Sequence, residues 1–267
     1  MEQPKNNLKI VADKKSARML LPNMLTLIGV CIGLTSIRLA LDGRFELAII
    51  AIMFAALIDG LDGRIARLIK GTSKVGKELD SLTDMISFGV APAFIMYFWK
   101  LNTLGRFGWL LCLVFVICVA LRLARFNINS NQEPSWRDNF FEGVPSPAGG
   151  ILVLTPLIIS LSGFDFFQLN YDIIVPIFFV STSFLLISKF PSYSFKKIVI
   201  RRRTTIFLLF GIVLFFGLLL IYTFNVIAIS AIIYLLLLPI SYVHYQKIKN
   251  KHEKDKIQDE DDLEDVL

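Results

Sequence analysis

The chain has 267 residues, of which 55% are apolar and 23 are phenylalanine, and its mean hydropathy is +0.63. This composition excludes an ordinary water-soluble domain, in which about 45–50% of residues are apolar even when glycine is counted. The formal charge of +6 does not indicate nucleic acid, because the basic residues lie in short runs between apolar stretches. We therefore expect no nucleic-acid partner, and expect membrane lipids or a phosphorylated ligand instead.

Apolar stretches of transmembrane length follow one another along most of the chain. A spanning helix needs roughly 20 apolar residues. We predict about eight spans, at about 20–41, 45–68, 79–99, 106–127, 147–163, 171–189, 205–223 and 225–244. Residues 1–19 are predicted to form a cytoplasmic juxtamembrane surface helix, residues 20–245 the transmembrane domain, and residues 246–267 a disordered charged tail. The predicted fold class is all-α, a polytopic transmembrane helical bundle.

The distribution of charge between the loops predicts the orientation of this bundle. Lysine and arginine concentrate in the loop between the second and third spans and in the loop between the sixth and seventh. The opposite side carries only Arg44, Lys100 and Arg106. By the positive-inside rule, both termini lie in the cytoplasm. We expect an integral protein of the cell or inner membrane.

Four aspartates lie inside or beside the second and third spans. A carboxylate at the bilayer centre costs roughly 2.5–3.5 kcal/mol on insertion scales. Asp59 and Asp62 are three residues apart, and Asp80 and Asp84 are four apart, so each pair lies on one helix face. A short cytoplasmic loop joins the two helices and brings both pairs to the same depth. The pattern predicts a shared polar cavity that binds a cation.

The available ligand types restrict which cation this cavity binds. The chain has only two histidines, and its three cysteines lack metal-ligand spacing. Carboxylate oxygens alone select Mg²⁺, Mn²⁺ or Ca²⁺ over zinc or copper. Two such ions bridged by carboxylates suit displacement at phosphorus. The alternative is an ion or proton pathway, where intramembrane carboxylates also occur.

A basic side chain beside the aspartates favours phosphoryl chemistry over that alternative. Arg67 follows Asp59 by eight residues and therefore lies on roughly the same helix face. With the other cations of the loop it offers a clamp for a diphosphate, for which a cation transporter has no evident use. Gly63 and Gly76 leave space for a ligand to approach the backbone.

The stretch from Asp59 to Asp84 resembles the signature of the CDP-alcohol phosphotransferase family: two aspartates three apart, glycine, alanine-arginine, then glycine and two aspartates four apart. The resemblance implies that Asp59, Asp62, Asp80 and Asp84 hold two divalent metal ions, Mg²⁺ or Mn²⁺ or Ca²⁺. It implies that Asp84 also acts as general base on an acceptor hydroxyl. Contacts with the CDP moiety of a CDP-lipid would come from Asn23, Thr26, Gly63, Arg67 and Ser73. The resemblance also implies a homodimer and a six-helix family core, followed here by a C-terminal hairpin.

Four further motifs are similar to the phosphatidylserine synthase branch of that family. They begin at Asp80 (Asp-Ser-Leu-Thr-Asp-Met-Ile-Ser-Phe-Gly-Val-Ala-Pro), Arg122 (Arg-Leu-Ala-Arg-Phe-Asn), Gly143 (Gly-Val-Pro-Ser-Pro) and Phe190 (Phe-Pro-Ser-Tyr-Ser-Phe-Lys). This similarity implies CDP-diacylglycerol and L-serine as substrates, with phosphatidylserine and CMP as products. Another alcohol acceptor, as in phosphatidylglycerophosphate synthase, is the alternative within the family.

Three residues at the cytoplasmic end of the fourth span are candidates for binding serine. Arg122 or Arg125 would pair with the serine carboxylate, and Asn127 is a further candidate contact. Arginines at span ends also extend to the membrane interface without any ligand. The pattern therefore leaves open which of the three faces the aspartates.

Overall fold

The structure is a computed structural model that describes residues 14–69, 71, 73–129, 140–163, 170–193 and 202–264. The helices in chain order are α1 (Lys14–Leu41), α2 (Phe45–Leu68), α3 (Lys74–Asp84), a π-helical turn (Met85–Val90), α4 (Ala91–Trp99), a 3₁₀ turn (Leu101–Leu104), α5 (Arg106–Asn129), α6 (Ser146–Leu161), α7 (Tyr171–Ile187), α8 (Arg202–Ile221) and α9 (Thr223–Glu264). Two short strands, β1 (Phe140–Glu142) and β2 (Pro191–Tyr193), pair antiparallel with Phe141 opposite Ser192. The all-α prediction is confirmed apart from this small sheet.

Each apolar stretch predicted from the sequence forms a helix. Within the part of the chain that the structure describes, four helical stretches are long and apolar enough to cross a membrane, namely Leu20–Leu41, Lys74–Trp99, Arg106–Ile128 and Thr223–Ile248. The apolar parts of α6, α7 and α8 are shorter, and α2 carries the first two aspartates within its 24 residues. The chain is therefore a polytopic helical membrane protein.

Helices α1 and α2 form a tight antiparallel hairpin. Gly43 ends α1 with φ +75°, a conformation that favours glycine because it has no Cβ. The N–H groups of Gly43 and Arg44 donate to the carbonyls of Ala40 and Leu39, at 3.0 and 2.9 Å. This Schellman arrangement satisfies the last carbonyls of α1 and reverses the chain within three residues.

The helical stretch Lys74–Trp99 changes geometry directly after Asp84. Pro92 has no N–H, so the Phe88 carbonyl loses the donor that a regular α-helix would supply. The π-helical turn Met85–Val90 lies in the turns just before this proline. Two glycines of neighbouring helices pack closely against the turn: a Cβ on Gly33 of α1 would lie 3.1 Å from Ser87 Cα, and one on Gly150 of α6 would lie 3.0 Å from the Phe88 carbonyl oxygen.

The apolar core lies between α1, α2, α4, α5, α6 and α7, with Phe88, Phe115 and Phe179 fully buried at its centre. Many large apolar side chains are exposed on the outside of the bundle, such as Phe207 of α8 with 76% of its surface accessible. In water such a surface would be unfavourable, but a bilayer solvates it.

Aromatic side chains gather at the end of the bundle remote from the aspartates. Trp109 packs edge-on against Tyr97, and Trp99 against Tyr171, with ring centroids 5.4 Å apart in both pairs. Lys100 pairs with Asp172 at 3.0 Å at the same end. Amphipathic rings and charges of this kind are typical of a membrane–water interface.

The structure describes only part of the two predicted end segments. The predicted surface helix 1–19 falls mostly on residues 1–13, which lie outside the described residues, and residues 14–19 continue directly into α1. Helix α9 extends to Glu264, through most of the segment 246–267 that composition predicted as disordered. Extending an existing helix costs far less than nucleating one, and the Lys, Glu and Gln of this segment are good helix formers.

Candidate active site

Two neighbouring helices bring the four aspartates together. Asp59 and Asp62 lie on α2, and Asp80 and Asp84 lie on α3. One carboxylate oxygen from each of Asp59, Asp62 and Asp80 lies within 4.8 Å of the others. The carboxylate of Asp84 is within hydrogen-bonding reach of Asp59. The clustering predicted from helical spacing is therefore present.

The surroundings of these carboxylates fit a bound divalent cation. Asp62 is only 3% exposed, and its Oδ1 atom, like Oδ1 of Asp84, is buried without a hydrogen bond to any described residue. Buried charged carboxylates are normally paired or coordinate a metal. The donor set consists of carboxylate oxygens, the ligands that Mg²⁺, Mn²⁺ and Ca²⁺ prefer. Within the described ranges, no other three His, Cys, Asp or Glu side chains converge in this way.

A threonine of α1 fixes the orientation of one of these carboxylates. Thr26 Oγ1 lies 2.6 Å from Asp62 Oδ2 and 3.0 Å from the carbonyl oxygen of Pro22. A hydroxyl has one proton, and the shorter contact with the charged acceptor is the stronger hydrogen bond. Thr26 therefore holds Oδ2 of Asp62 in place and leaves Oδ1 for a ligand.

The residues expected to contact CDP form two groups on either side of the aspartates. Asn23 of α1 lies against the start of α3, where a Cβ on Gly76 would be 2.9 Å from Asn23 Oδ1. Ser73 caps α3, and its hydroxyl accepts from the Gly76 N–H at 2.9 Å. On α2, a Cβ on Gly63 would meet no atom within 4 Å, so the helix surface there is open. Exposed Arg67 donates from Nε to the Gly63 carbonyl at 3.0 Å.

The structure distinguishes the three residues expected to bind serine. The guanidinium of Arg122 donates to Ser146 Oγ and interacts electrostatically with Asp84 and Asp59. Arg125 instead donates to the Ile187 carbonyl at 2.7 Å from an exposed position. Asn127 donates from Nδ2 to Ser81 Oγ at 2.9 Å, which connects the end of α5 to α3. Among these three, the described contacts join only Arg122 to the aspartates.

Two polar residues near Arg122 were not singled out from the sequence. Ser146 lies in the quoted Gly-Val-Pro-Ser-Pro motif, which offered a signal, but the serine itself could equally have begun a helix. Tyr234 interacts electrostatically with Arg122, and its hydroxyl is buried without a described partner. A single tyrosine in an apolar stretch does not indicate, from the sequence, that its hydroxyl lies buried near an arginine.

An apolar cavity of about 660 Å³ lies alongside α2, the helix that carries Asp59 and Asp62. Its walls come from α2, α6, α8 and α9, and on α2 they include Ile50, Met53 and Leu57. Leu57 is two residues before Asp59, whereas Ile50 is a further two turns away along the helix. The cavity thus extends roughly 10 Å from the level of the carboxylates toward the opposite membrane surface.

Comparison with known proteins agrees with this geometry. The profile of the family described as CDP-alcohol phosphatidyltransferase matches residues 19–243. The chain belongs to this family, and all four clustered aspartates lie within the matched region.

Several relatives carry the name CDP-diacylglycerol–serine O-phosphatidyltransferase. The chain is 41% identical over 175 residues to that of Mycobacterium leprae, an alignment that covers 64% of this chain and 57% of the relative. It is 38% identical over 179 residues to that of Helicobacter pylori, covering 67% and 74%. With the Bacillus subtilis protein it shares 34% identity over 177 residues, covering 66% and 92%. The chain thus spans only about half the length of the mycobacterial relatives.

Proposed function

We propose that this chain is a phosphatidylserine synthase, which transfers the phosphatidyl group of CDP-diacylglycerol to the hydroxyl of L-serine and releases CMP. The observation that carries the proposal is the cluster of four carboxylates, two of them with buried unpartnered oxygens. Helix α2, which carries two of these carboxylates, also lines an apolar cavity. A polar site for a diphosphate and an apolar space for acyl chains suit a nucleotide-activated lipid. The names of the relatives support serine as the acceptor.

The metal requirement follows from the donor set. Asp59, Asp62, Asp80 and Asp84 would hold two divalent ions, Mg²⁺ or Mn²⁺ or alternatively Ca²⁺. Such ions, when bound, would neutralise the diphosphate and the departing CMP. Arg67 anchors the diphosphate from the open surface of α2, and Asn23, Thr26, Gly63 and Ser73 contact the CDP moiety.

In the transfer step, the serine oxygen attacks the phosphorus that carries diacylglycerol. Asp84 takes the proton of the serine hydroxyl as the new P–O bond forms. The bond from that phosphorus to the oxygen of CMP breaks, and CMP leaves with the electron pair. Arg122 binds the serine carboxylate, whereas Arg125 and Asn127, through Ile187 and Ser81, hold the end of α5 in position.

The same proposal includes the arrangement in the membrane. Eight spans place both termini and the aspartates on the cytoplasmic side, where CMP is released. Residues 1–19 act as a juxtamembrane surface helix before the catalytic domain 20–245, and residues 246–267 extend into the cytoplasm as a charged tail. The active protein is a homodimer.

The test is CMP release by the purified chain in detergent micelles. With Mg²⁺ or Mn²⁺ and CDP-diacylglycerol, we expect CMP and labelled phosphatidylserine in equal amounts when L-serine is added. A chelator should abolish both products. Product from glycerol 3-phosphate but not from serine would identify another acceptor, and no CMP with either would contradict the proposed reaction.

A further inference from the structure

The hydroxyl of Tyr234 is a buried polar group that the reaction above leaves unused. It lies on α9, is closed to solvent, and makes no hydrogen bond to any residue that the structure describes. The ring packs against a small apolar cluster formed by Val144, Leu152 and Leu238. Buried polar groups are normally hydrogen-bonded, so an orphaned hydroxyl indicates either a cost to stability or a ligand that supplies the partner.

The surroundings of this hydroxyl are suited to an anion. Arg122 interacts electrostatically with Tyr234 and also with Asp84. Ser192 of β2 lies beside the phenol. Its hydroxyl donates to the Gly143 carbonyl at 2.8 Å and could only accept from the phenol, with which it forms no well-aligned hydrogen bond. The hydrogen bond from Arg122 to Ser146 uses one of the five N–H donors of the guanidinium. A guanidinium and a phenol donor are thus brought together where α5, α6, β2 and α9 meet.

We infer that Tyr234, together with Arg122, binds the carboxylate of the acceptor serine, so that the last helix completes the acceptor site. The inference rests on the proposed function. In serine, one carbon separates the carboxylate from the carbon that bears the hydroxyl. The group that binds the carboxylate must therefore lie close to the base that receives the hydroxyl proton. Arg122 satisfies this requirement through its interaction with Asp84, and Tyr234, which also interacts with Arg122, adds a neutral donor.

Two features favour the acceptor carboxylate over the lipid phosphate as the anion bound here. The residues with open access to a diphosphate lie on α2, where the surface around Gly60 and Gly63 is free of neighbouring atoms. Tyr234 belongs to α9, lines the apolar cavity and interacts electrostatically with Arg122.

The experiment compares Tyr234→Phe with the matched variant Tyr242→Phe on the same helix. Tyr234→Phe removes one oxygen and keeps the ring, so the packing of α9 is preserved. Tyr242 is 43% exposed, and its hydroxyl accepts from Gln246 at 3.2 Å. CMP release is measured while L-serine and CDP-diacylglycerol are varied in turn, and thermal unfolding is followed in detergent.

We expect Tyr234→Phe to raise the KM for serine by about 10-fold or more, because a hydrogen bond to a charged group is lost. The KM for CDP-diacylglycerol and the unfolding temperature should stay at wild-type values, and Tyr242→Phe should match the wild type throughout.

A raised KM for CDP-diacylglycerol alone would assign the hydroxyl to the lipid phosphate and overturn the inference. Unchanged kinetics would overturn it as well. A wild-type chain that releases no CMP with serine would instead contradict the proposed function, so the two failures are distinguishable.

Discussion

The four aspartates share a residue type but differ in what surrounds each carboxylate. Oδ2 of Asp62 is held by Thr26 at 2.6 Å, whereas Asp84 lies beside Asp59 and near Arg122. A carboxylate held by a hydrogen bond suits a metal ligand. Asp84, the last residue of α3, interacts electrostatically with Arg122, the basic side chain that we assign to the acceptor. This difference is the reason to assign proton transfer to Asp84 and not to Asp62.

The first prediction tests that assignment. Asp84→Asn keeps the size of the side chain but cannot accept the serine proton, so CMP release should fall by at least about 100-fold. Binding of CDP-diacylglycerol, measured by titration calorimetry in micelles, should remain detectable because three carboxylates are left. Asp172→Asn is the control, because Asp172 pairs with Lys100 at the far end of the bundle. A fully active Asp84→Asn variant would exclude Asp84 as the base.

A second prediction concerns the residue that orients Asp62. Thr26→Val removes the hydroxyl but keeps the branched shape, so Asp62 loses its fixed geometry. We expect the Mg²⁺ concentration for half-maximal activity to rise on the order of 10-fold. Thr155→Val is the matched control, because Thr155 is also buried but bonds only to the Ile151 carbonyl, at 3.1 Å. Equal metal dependence in both variants would show that the hydrogen bond to Asp62 is unimportant.

At this scale the sequence predicts the cluster but not the choice between neighbouring arginines. Helical periodicity alone places Asp59 with Asp62 and Asp80 with Asp84. Arg122 and Arg125 are three residues apart at one helix end, so periodicity gives both a similar direction. Which of them faces inward depends on Ser146 of α6 and the end of α7, and contacts between distant segments leave no local signal.

At the scale of elements, the π-helical turn after Asp84 connects packing to the site. It is held between α1 and α6 by the close approach of Gly33 to Ser87 and of Gly150 to Phe88. Interiors packed at this density shift when even one methyl group is added. Any such shift moves Asp84, because the aspartate directly precedes the turn.

The third prediction uses Gly33→Ala to move this turn. The new Cβ would lie 2.6 Å from Ser87 Oγ and 3.1 Å from Ser87 Cα, so the backbone must give way. We expect a destabilisation of about 1–3 kcal/mol, seen as a lower unfolding temperature in detergent, with a matching loss of CMP release. Gly211→Ala on α8 is the control, since its Cβ would meet no atom within 4 Å. Wild-type stability in Gly33→Ala would contradict the proposed tight contact.

The extent of each helix is largely predictable from hydropathy, whereas its irregular parts are not. Runs of about 20 apolar residues mark the spans directly. The pairing of Phe141 with Ser192 joins two three-residue strands about fifty positions apart, too short for a period-two pattern. The helical continuation of α9 to Glu264 is also not predictable from composition, because composition describes the isolated segment and not the helix that it extends.

At the scale of the whole molecule, α8 stands apart from the compact bundle. Nearly all of its described side chains are exposed, and the helix packs chiefly along α9. Phe215, Phe216 and Leu219 close one side of the 660 Å³ cavity, whose other walls belong to α2, α6 and α9. The last two helices thus close an apolar space that the first seven leave open. We expect this space, which along α2 begins near the level of the aspartates, to hold the acyl chains of the proposed donor lipid.

The last prediction fills this cavity with a larger side chain. Ser230 lines it from α9, and its hydroxyl is already satisfied by the Val226 carbonyl at 2.7 Å. Ser230→Phe should therefore leave the fold intact but occupy the space that an acyl chain requires. We expect the KM for CDP-diacylglycerol with long acyl chains to rise several-fold, roughly 5-fold or more, if the cavity holds about 1 kcal/mol of the binding energy. A donor with short acyl chains should be affected much less, and the KM for serine should not change.

The matched control for this variant is Ser181→Phe. Ser181 lies on an exposed face of α7, and its hydroxyl also donates to the carbonyl four residues earlier, that of Ile177. The added ring would project toward lipid, so the kinetics should equal those of the wild type. If Ser230→Phe raised the KM equally for long-chain and short-chain donors, the cavity would not bind the acyl chains. The assignment of a task to α9 would then rest on Tyr234. A dependence on chain length, in contrast, would assign both helices to the donor lipid as well as to the acceptor.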